Sequence, residues 1–296
     1  MKKLCVVIPT KNEQKGIVQV MNAMPRNELE ALGLRMDVLV VDGNSTDETR
    51  KRALELGAFV ELQQGAGKGD AVQAAFKRLK REKYDFAVMI DGDNTYDARQ
   101  IPDVLFPVLA GRCDVVIGSR QITKESMDGI NRLGNKMLSS LANATLTRTE
   151  DLCSGFWAFN SKAIEEMQPS AEGFDIEADL LAETRKKKLR TCNVPVSYGK
   201  RTGESKLSPW AHGLLILGRI IRNVRDWNPL VLFGSTGAAL LVLAATVAID
   251  LVPDLMNGVI VKVPRLIVTG FLILFAFSAI GYGLVLDYIE RHVKEA

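Results

Sequence analysis

Asp85-Phe86-Ala87-Val88-Met89-Ile90-Asp91-Gly92-Asp93 is the stretch on which the reading of this chain turns. Residues 86–90 are apolar without alternation, so residues 85–90 read as a strand covered on both faces. The run ends in Asp91 and Asp93, two carboxylates one residue apart at a strand terminus. Such a pair can meet one hard cation, directly or through water, and leaves coordination positions open for phosphate oxygens; Mg²⁺ or Mn²⁺ suits it. An Asp-x-Asp triplet is also a common turn, so its meaning depends on its surroundings.

Outward from this strand the pattern repeats. Residues 4–8, 37–41, 59–62 and 114–117 are further strand candidates. Helical patterns lie between them: residues 13–24, a helix from about 46 with Ser45 or Thr46 as N-cap and a stop at Gly57, and residues 68–80. Strand and helix alternating at this spacing predict a parallel α/β sheet. In such a sheet the ligand site lies beyond the carboxyl ends of the strands. Polar and acidic residues follow those ends: Pro9-Thr10-Lys11-Asn12-Glu13, Asp42-Gly43-Asn44-Ser45-Thr46-Asp47, Asp91-Gly92-Asp93 and Gly118-Ser119-Arg120. Residues 121–207, with a strand near 189–198, read as an extension of the same domain. The N-terminal Met1-Lys2-Lys3 followed by Leu4-Cys5-Val6-Val7-Ile8-Pro9 resembles a signal-peptide start, but the apolar run is too short and lacks a cleavage site. It reads as the first strand.

The 296 residues allow one ordinary domain and something smaller. A net charge of +3 is too small to argue for nucleic acid. Cys5, Cys113, Cys153 and Cys192 make no CxxC or Cys/His pattern, so they read as small buried hydrophobes and no zinc site is expected. The last quarter of the chain differs in kind. In residues 208–228, Trp210, Leu214, Leu217, Ile221 and Val224 recur at spacings of three and four, with Arg219 and Arg222 opposite, which predicts a basic amphipathic helix at a membrane interface. Residues 230–249 and 266–286 carry no charge, and either stretch is long enough to cross ~30 Å of hydrocarbon. The connection between them holds Asp250, Asp254, Lys262 and Arg265, whereas the outer flanks hold Arg219, Arg222, Arg225, Arg291 and Lys294. Basic flanks predict that both ends of the pair face the cytoplasm. The expected organisation is therefore a domain over residues 1–207, an interface helix over 208–228, a two-helix transmembrane hairpin over 229–287 and a cytoplasmic tail over 288–296.

Two further motifs bear on chemistry. Gly65-Ala66-Gly67-Lys68-Gly69 opens a helix, and glycines at a helix N-terminus can receive phosphate. It is not a P-loop: the first glycine of that motif would fall at Leu62, and Gly69 follows Lys68 where Ser or Thr is required. Arg120, Arg132, Lys200, Arg201 and Lys206 lie in polar, Gly/Ser-containing surroundings, and the arginine fork pairs well with phosphate oxygens.

The order Val6-Val7-Ile8-Pro9-Thr10-Lys11-Asn12-Glu13, Val41-Asp42-Gly43-Asn44-Ser45-Thr46-Asp47, Asp91-Gly92-Asp93, Gly118-Ser119-Arg120 resembles the family 2 glycosyltransferases of the GT-A fold. Asn131-Arg132-Leu133-Gly134-Asn135, Asp151-Leu152-Cys153-Ser154-Gly155-Phe156 and Gly203-Glu204-Ser205-Lys206-Leu207 resemble the branch containing dolichol-phosphate mannose synthases and polyprenyl-phosphate glycosyltransferases. The resemblance implies a Rossmann-like, mostly parallel sheet. It implies that Pro9, Thr10, Asn12, Glu13 and Asp42 line the nucleotide pocket, with Lys68 beside them. It places Asp91 and Asp93 on a Mg²⁺ or Mn²⁺ ion and the donor diphosphate, assigns Arg120 a catalytic role, and assigns Arg120, Arg132, Arg201 and Lys206 to the phosphates of donor and acceptor. The implied reaction is inverting transfer from a nucleotide sugar to dolichyl or polyprenyl phosphate at the cytoplasmic face of the cell membrane, by an integral membrane protein that can be a homo-oligomer. Asp91-Gly92-Asp93-Asn94-Thr95 departs from the Asp-Ala-Asp-Leu-Gln of many mannose synthases, and Asp93-Asn94-Thr95-Tyr96 is nearer to UDP-sugar users. UDP-glucose or UDP-N-acetylglucosamine is the expected donor, with GDP-mannose as the alternative. A processive polysaccharide synthase would carry a Gln-x-x-Arg-Trp motif, which is absent. A membrane-tethered protein that binds nucleotide sugars without turnover is the non-enzymatic alternative.

Overall fold

The computed structural model describes residues 1–121, 139, 149–201, 209–249, 251–252, 256 and 263–293. It divides into two compact units, Met1–Ile220 and Ile221–Ala296.

The first unit is built on a seven-stranded sheet. Its strands are β1 (Lys2–Thr10), β2 (Leu34–Asp42), β3 (Phe59–Leu62), β4 (Phe86–Met89), β5 (Val115–Gln121), β6 (Trp157–Asn160) and β7 (Thr191–Ser197), in the spatial order β3-β2-β1-β4-β6-β5-β7. β1 pairs in parallel with β2 and β4, β2 with β3, and β5 with β7. β6 runs antiparallel between β4 and β5. The sheet is thus mixed and mostly parallel. Its strand order reverses between β1 and β4, which puts Thr10 and Asp91 side by side at the switch point where α/β sheets bind ligands.

Among the described residues this unit's α-helices include α1 (Gln14–Ala23), α2 (Arg26–Ala31), α3 (Thr49–Glu55), α4 (Lys68–Glu82), α5 (Ile101–Leu109), α6 (Ser161–Glu166) and α7 (Ile176–Lys186). The unbroken apolar strands are covered on both faces, as their composition requires: every residue of β1 from Leu4 to Thr10 is buried. Leu4, Val6 and Ile8 join Ile17, Val20, Val88 and Ile101 in one core. On the other face Phe76 meets Phe159 edge-on, and Phe159 stacks on Trp157.

Two local expectations are corrected. The third helix starts at Thr49, so neither Ser45 nor Thr46 is its cap. Ser45 donates both its N–H and its hydroxyl to the Asp42 carboxylate instead, and Asp47 accepts from the N–H and hydroxyl of Thr49. Short polar side chains compete with the helix for exactly such backbone partners. β6 was not anticipated. It is a four-residue run enclosed by Gly155 and by Asn160, whose side chain caps α6 by accepting from the Ala163 N–H at 2.9 Å.

α8 (Pro209–Trp227) begins in the first unit and ends in the second. Its faces are unequally covered. Arg219 is only 14% exposed and pairs with Asp175 at 2.6 Å, whereas Leu214 and Ile221 are 67% and 44% exposed. Val224 is buried and Arg222 exposed, as expected; the Trp210 side chain lies outside the described residues. Two acidic residues on α7 and in the turn before it, Asp179 and Asp175, hold Arg219, while Leu214 and Ile221 stay exposed.

The second unit is dominated by α9 (Pro229–Ile249) and α10 (Val263–Val293). They pack antiparallel through small residues: a Cβ on Gly237 would fall 2.7 Å from the Ala276 carbonyl, and one on Gly283 would fall 2.9 Å from Phe233. Both are long and apolar enough to cross a membrane, over Pro229–Ile249 and Val263–Ile289, and only 11% of each apolar window is buried, which is unlike a soluble core helix. The hydroxyls of Ser235, Thr236, Thr246 and Thr269 donate to carbonyls three or four residues earlier, leaving no demand on an outside partner.

Candidate active site

At the carboxyl end of β4 the chain turns through Asp91-Gly92-Asp93-Asn94, with Asn94 in the left-handed region at φ 62°. Two glycines let other elements close on this turn. A Cβ on Gly16 of α1 would lie 2.4 Å from the Gly92 carbonyl, and a Cβ on Gly155 would lie 2.1 Å from Asp91 Oδ2. Gly155 is itself fixed, since its N–H donates to the Tyr96 hydroxyl at 2.7 Å. The neighbouring Ser154 hydroxyl donates to the Gly118 carbonyl of β5 at 2.5 Å. Because β6 is antiparallel, its leading residues Ser154 and Gly155 arrive at the same end of the sheet as the trailing residues of β4 and β5.

The charges at this end are interlocked. Lys68 Nζ lies 2.6 Å from Asp91 Oδ1 and 2.7 Å from Glu177 Oε1. Arg201 pairs with Glu13 and lies 3.3 Å from Asp93 Oδ2, while Asp93 Oδ1 accepts from the Thr95 N–H at 3.1 Å and hydroxyl at 2.7 Å. Arg120 grips Asp151 with both arms of its fork, at 2.6 and 2.7 Å, and lies over the Tyr198 ring. Burial pushes the Asp91 carboxyl up to about 6, the adjoining Lys68 cation opposing this and the Asp93 and Glu177 carboxylates adding to it. Burial works against the Lys68 ammonium, but Asp91 and Glu177 together hold it well above its ordinary value.

Around the pair Asp91 and Asp93, four carboxylates (with Glu13 and Glu177) thus face two cations, Lys68 and Arg201. The buried Thr10 hydroxyl, next to Gly92, has no hydrogen-bond partner among the described residues. Excess negative charge and an orphaned hydroxyl fit a divalent cation. Among the described residues no three His, Cys, Asp or Glu side chains converge as a ligand set, so a cation held here would complete its shell with water or phosphate oxygens.

Most of the residues expected from the sequence converge here. Thr10 and the buried Pro9 end β1. Asn12 has φ 50°, receives the Thr46 N–H on its side chain at 2.8 Å, and donates its own N–H to Ser45 at 2.8 Å. Asp42 is fully buried at the end of β2, where it also lies 3.7 Å from Arg50. Arg132 and Lys206 lie outside the described residues. The glycine motif does something other than cradle phosphate. The N–H groups of Gly69 and Asp70 donate to the carbonyls of Gly173 and Glu172, and a Cβ on Gly69 would lie 2.0 Å from the Ala171 carbonyl. The glycines seat residues 171–173 on the start of α4, and this brings Lys68 against Glu177. Glu177 and Asp151 were missed as site residues. The acidic opening of α7, Asp175-Ile176-Glu177-Ala178-Asp179, was the available signal.

Residues 5–168 match the family described as "Glycosyl transferase family 2". The chain is 33% identical to the glycosyltransferase AglJ of Haloferax volcanii, over 97% of this chain and 93% of that one. It is also 33% identical to the dolichyl-phosphate hexose transferase of the same organism, over 74% of this chain and 92% of the other. Among solved structures, glucosyl-3-phosphoglycerate synthase from Mycobacterium tuberculosis in complex with Mn²⁺ and UDP-glucose superposes with a TM-score of 0.61 at 21% identity, over 75% of this chain and 79% of that one; a likeness at that identity speaks to the fold. A family match over more than half the chain, together with near full-length similarity to a glycosyltransferase, decides the assignment: this protein belongs to glycosyl transferase family 2.

Proposed function

We propose that this protein transfers a hexose from a UDP-sugar, UDP-glucose or UDP-N-acetylglucosamine, to dolichyl or polyprenyl phosphate, with inversion at the anomeric carbon. The observation that carries this reading is the convergence of Asp91, Asp93, Lys68 and Arg201 at the switch point of a family 2 scaffold whose chain continues into two membrane-length apolar helices. The relative named as a dolichyl-phosphate hexose transferase supports the acceptor class. The proposed organisation is a catalytic domain over residues 1–207, a juxtamembrane helix over 208–228, a hairpin over 229–287 and a tail over 288–296, with domain and tail on the cytoplasmic side. The basic flanks of the hairpin support that orientation.

In the proposed reaction a phosphate oxygen of the acceptor bonds to C1 of the sugar as the C1–O bond to the nucleoside diphosphate breaks. A phosphate monoester, with its second pKa near ~6, is largely dianionic at neutral pH, so no strong general base is needed. The work left to the enzyme is positioning and stabilisation of charge on the departing diphosphate. A divalent cation bound at Asp91 and Asp93 would supply Lewis-acid charge there. Thr10 offers an unpaired hydroxyl, Glu13 and Asp93 orient Arg201, and Asp91 and Glu177 orient Lys68.

The test is a donor screen on the full chain in detergent. Radiolabelled UDP-glucose, UDP-N-acetylglucosamine and GDP-mannose are each offered with a polyprenyl or dolichyl phosphate and Mn²⁺ or Mg²⁺. Label in the organic phase with one UDP-sugar, lost on adding chelator, is the expected result. Label from GDP-mannose alone overturns the donor assignment, and absence of lipid-borne label with every donor overturns the acceptor.

A further inference from the structure

Each aspartate of the Asp91/Asp93 pair is matched to a cation that already holds a second carboxylate. Lys68 spans Asp91 and Glu177 at 2.6 and 2.7 Å, and Arg201 spans Asp93 and Glu13. The Lys68, Asp91 and Glu177 side chains are 13%, 25% and 10% exposed, so water does little to screen them. The Asp91 carboxylate is already engaged: it packs on Gly155, where a Cβ would fall 2.1 Å from Oδ2 and 2.7 Å from Oδ1, and Oδ1 accepts from the Lys68 ammonium at 2.6 Å. An ammonium at that distance neutralises the carboxylate and repels a second cation brought to it where little water screens the charges.

We propose that Lys68 is a resident counter-ion that competes with the divalent cation for Asp91, and that Glu177 is the carboxylate onto which Lys68 withdraws when the cation enters. This rests on the proposed cation site at Asp91 and Asp93 and adds a control on it. Lys68 can leave Asp91 without losing its charge partner, because Glu177 already shares it. Withdrawal needs no backbone movement: α4 opens at Lys68 beneath residues 171–173, and α7 presents Glu177 from its first turn. While Lys68 competes for Asp91, the apparent affinity for the cation is reduced by the fraction of time that Lys68 is withdrawn onto Glu177. A cation would then bind weakly to the nucleotide-free enzyme.

The experiment is Mn²⁺ binding to the full-length protein in detergent without nucleotide, followed by the electron paramagnetic resonance signal of free Mn²⁺. Lys68→Met should bind Mn²⁺ about tenfold more tightly than wild type, and Lys68→Arg, which keeps the charge, should bind no more tightly than wild type. Glu177→Gln should weaken binding about tenfold when Lys68 is present, because withdrawal loses its destination, and by much less in a Lys68→Met background. A simple field effect of the Glu177 charge would weaken both backgrounds equally. Equal losses, or a folded Lys68→Met protein that binds no tighter than wild type, overturns the proposal; a thermal melt establishes folding, and Lys68→Gln serves if the methionine variant does not fold. Asp93→Asn separates the two readings. If it abolishes Mn²⁺ binding while Lys68 variants leave affinity unchanged, only the competition is wrong. If Mn²⁺ binding is unaffected by Asp93→Asn, or absent throughout, the cation site and the competition fall together.

Discussion

Asp91 is held by two groups that the sequence places far from it, Lys68 and Gly155, and it lies beside the like charge of Asp93. Asp91→Asn keeps the shape and removes the charge, so turnover should fall by at least two orders of magnitude with little change in melting temperature; retained activity would sink the cation assignment. Gly155→Ala attacks the same group sterically. The added methyl would stand 2.1 Å from Oδ2, so the carboxylate must swing away. A loss of about a hundredfold in kcat is expected, because the whole carboxylate group, within 2.7 Å of the added carbon, must be displaced; a thermal melt checks that the chain still folds. The pH dependence has a definite sign. The Asp91 carboxyl is raised from 3.8 to about 6, chiefly by burial, so between those values the folded chain binds a proton more readily than the unfolded chain does. The ionised group therefore costs stability above about 6, and this cost is relieved as the pH falls toward 3.8. Activity runs the other way. The carboxylate is the working form, so kcat/KM measured at fixed low Mn²⁺ should fall about tenfold per pH unit below about 6. A flat profile down to pH 5 would contradict this.

At the scale of elements, the edge of the sheet depends on Asp114, just before β5. It accepts from the backbone N–H and the guanidinium of Arg190, which leads into β7, and from the Asn160 side chain at the end of β6. Hydrogen bonds from the Arg190 guanidinium hold its carboxyl well below the usual range. This stabilisation is present above the ordinary value of 3.8 and is lost as the pH falls below it. Asp114→Ala removes a buried acceptor shared by Arg190 and Asn160 and should cost about 1–2 kcal/mol, read by chemical denaturation of the detergent-solubilised chain. The same carboxylate explains why a four-residue β6 is stable: it is stapled at one end and stacked through Trp157 and Phe159 in its middle. Its existence was hard to read because so short a run carries no periodicity, whereas the longer strands β1 and β2 were legible within a few residues. α8 was legible as a helix with an apolar stripe, but helical spacing does not report the acidic partner, Asp175, that holds Arg219.

For the whole molecule, the apolar hairpin and the proposed site make a joint prediction. Ending the chain after residue 228 removes both membrane-length helices while keeping α8 and its Arg219–Asp175 pair. The shortened protein should leave the membrane on carbonate extraction, whereas the full chain should stay. In inside-out vesicles, protease should reach the N-terminal domain and the tail but spare the hairpin; protection of the domain would reverse the proposed orientation.

The alternation of apolar strands with helical stretches, the polar residues at strand ends and the two uncharged runs near the C-terminus are properties of consecutive residues. The sequence by itself therefore determined the α/β class, the end of the sheet at which the candidate site gathers and the presence of two helices long enough to cross a membrane. Partnership across the chain is a different kind of fact. That Lys68 faces Asp91 and Glu177, that Arg120 is committed to Asp151, that Arg201 bridges Glu13 and Asp93, and that the glycines before α4 seat residues 171–173 follow only from how distant segments are brought together. A charged side chain is written identically in the sequence whether it is solvated, paired or buried. The tertiary structure decides, because it fixes the distance to the opposite charge and the exclusion of water, and those two quantities set the strength of the interaction.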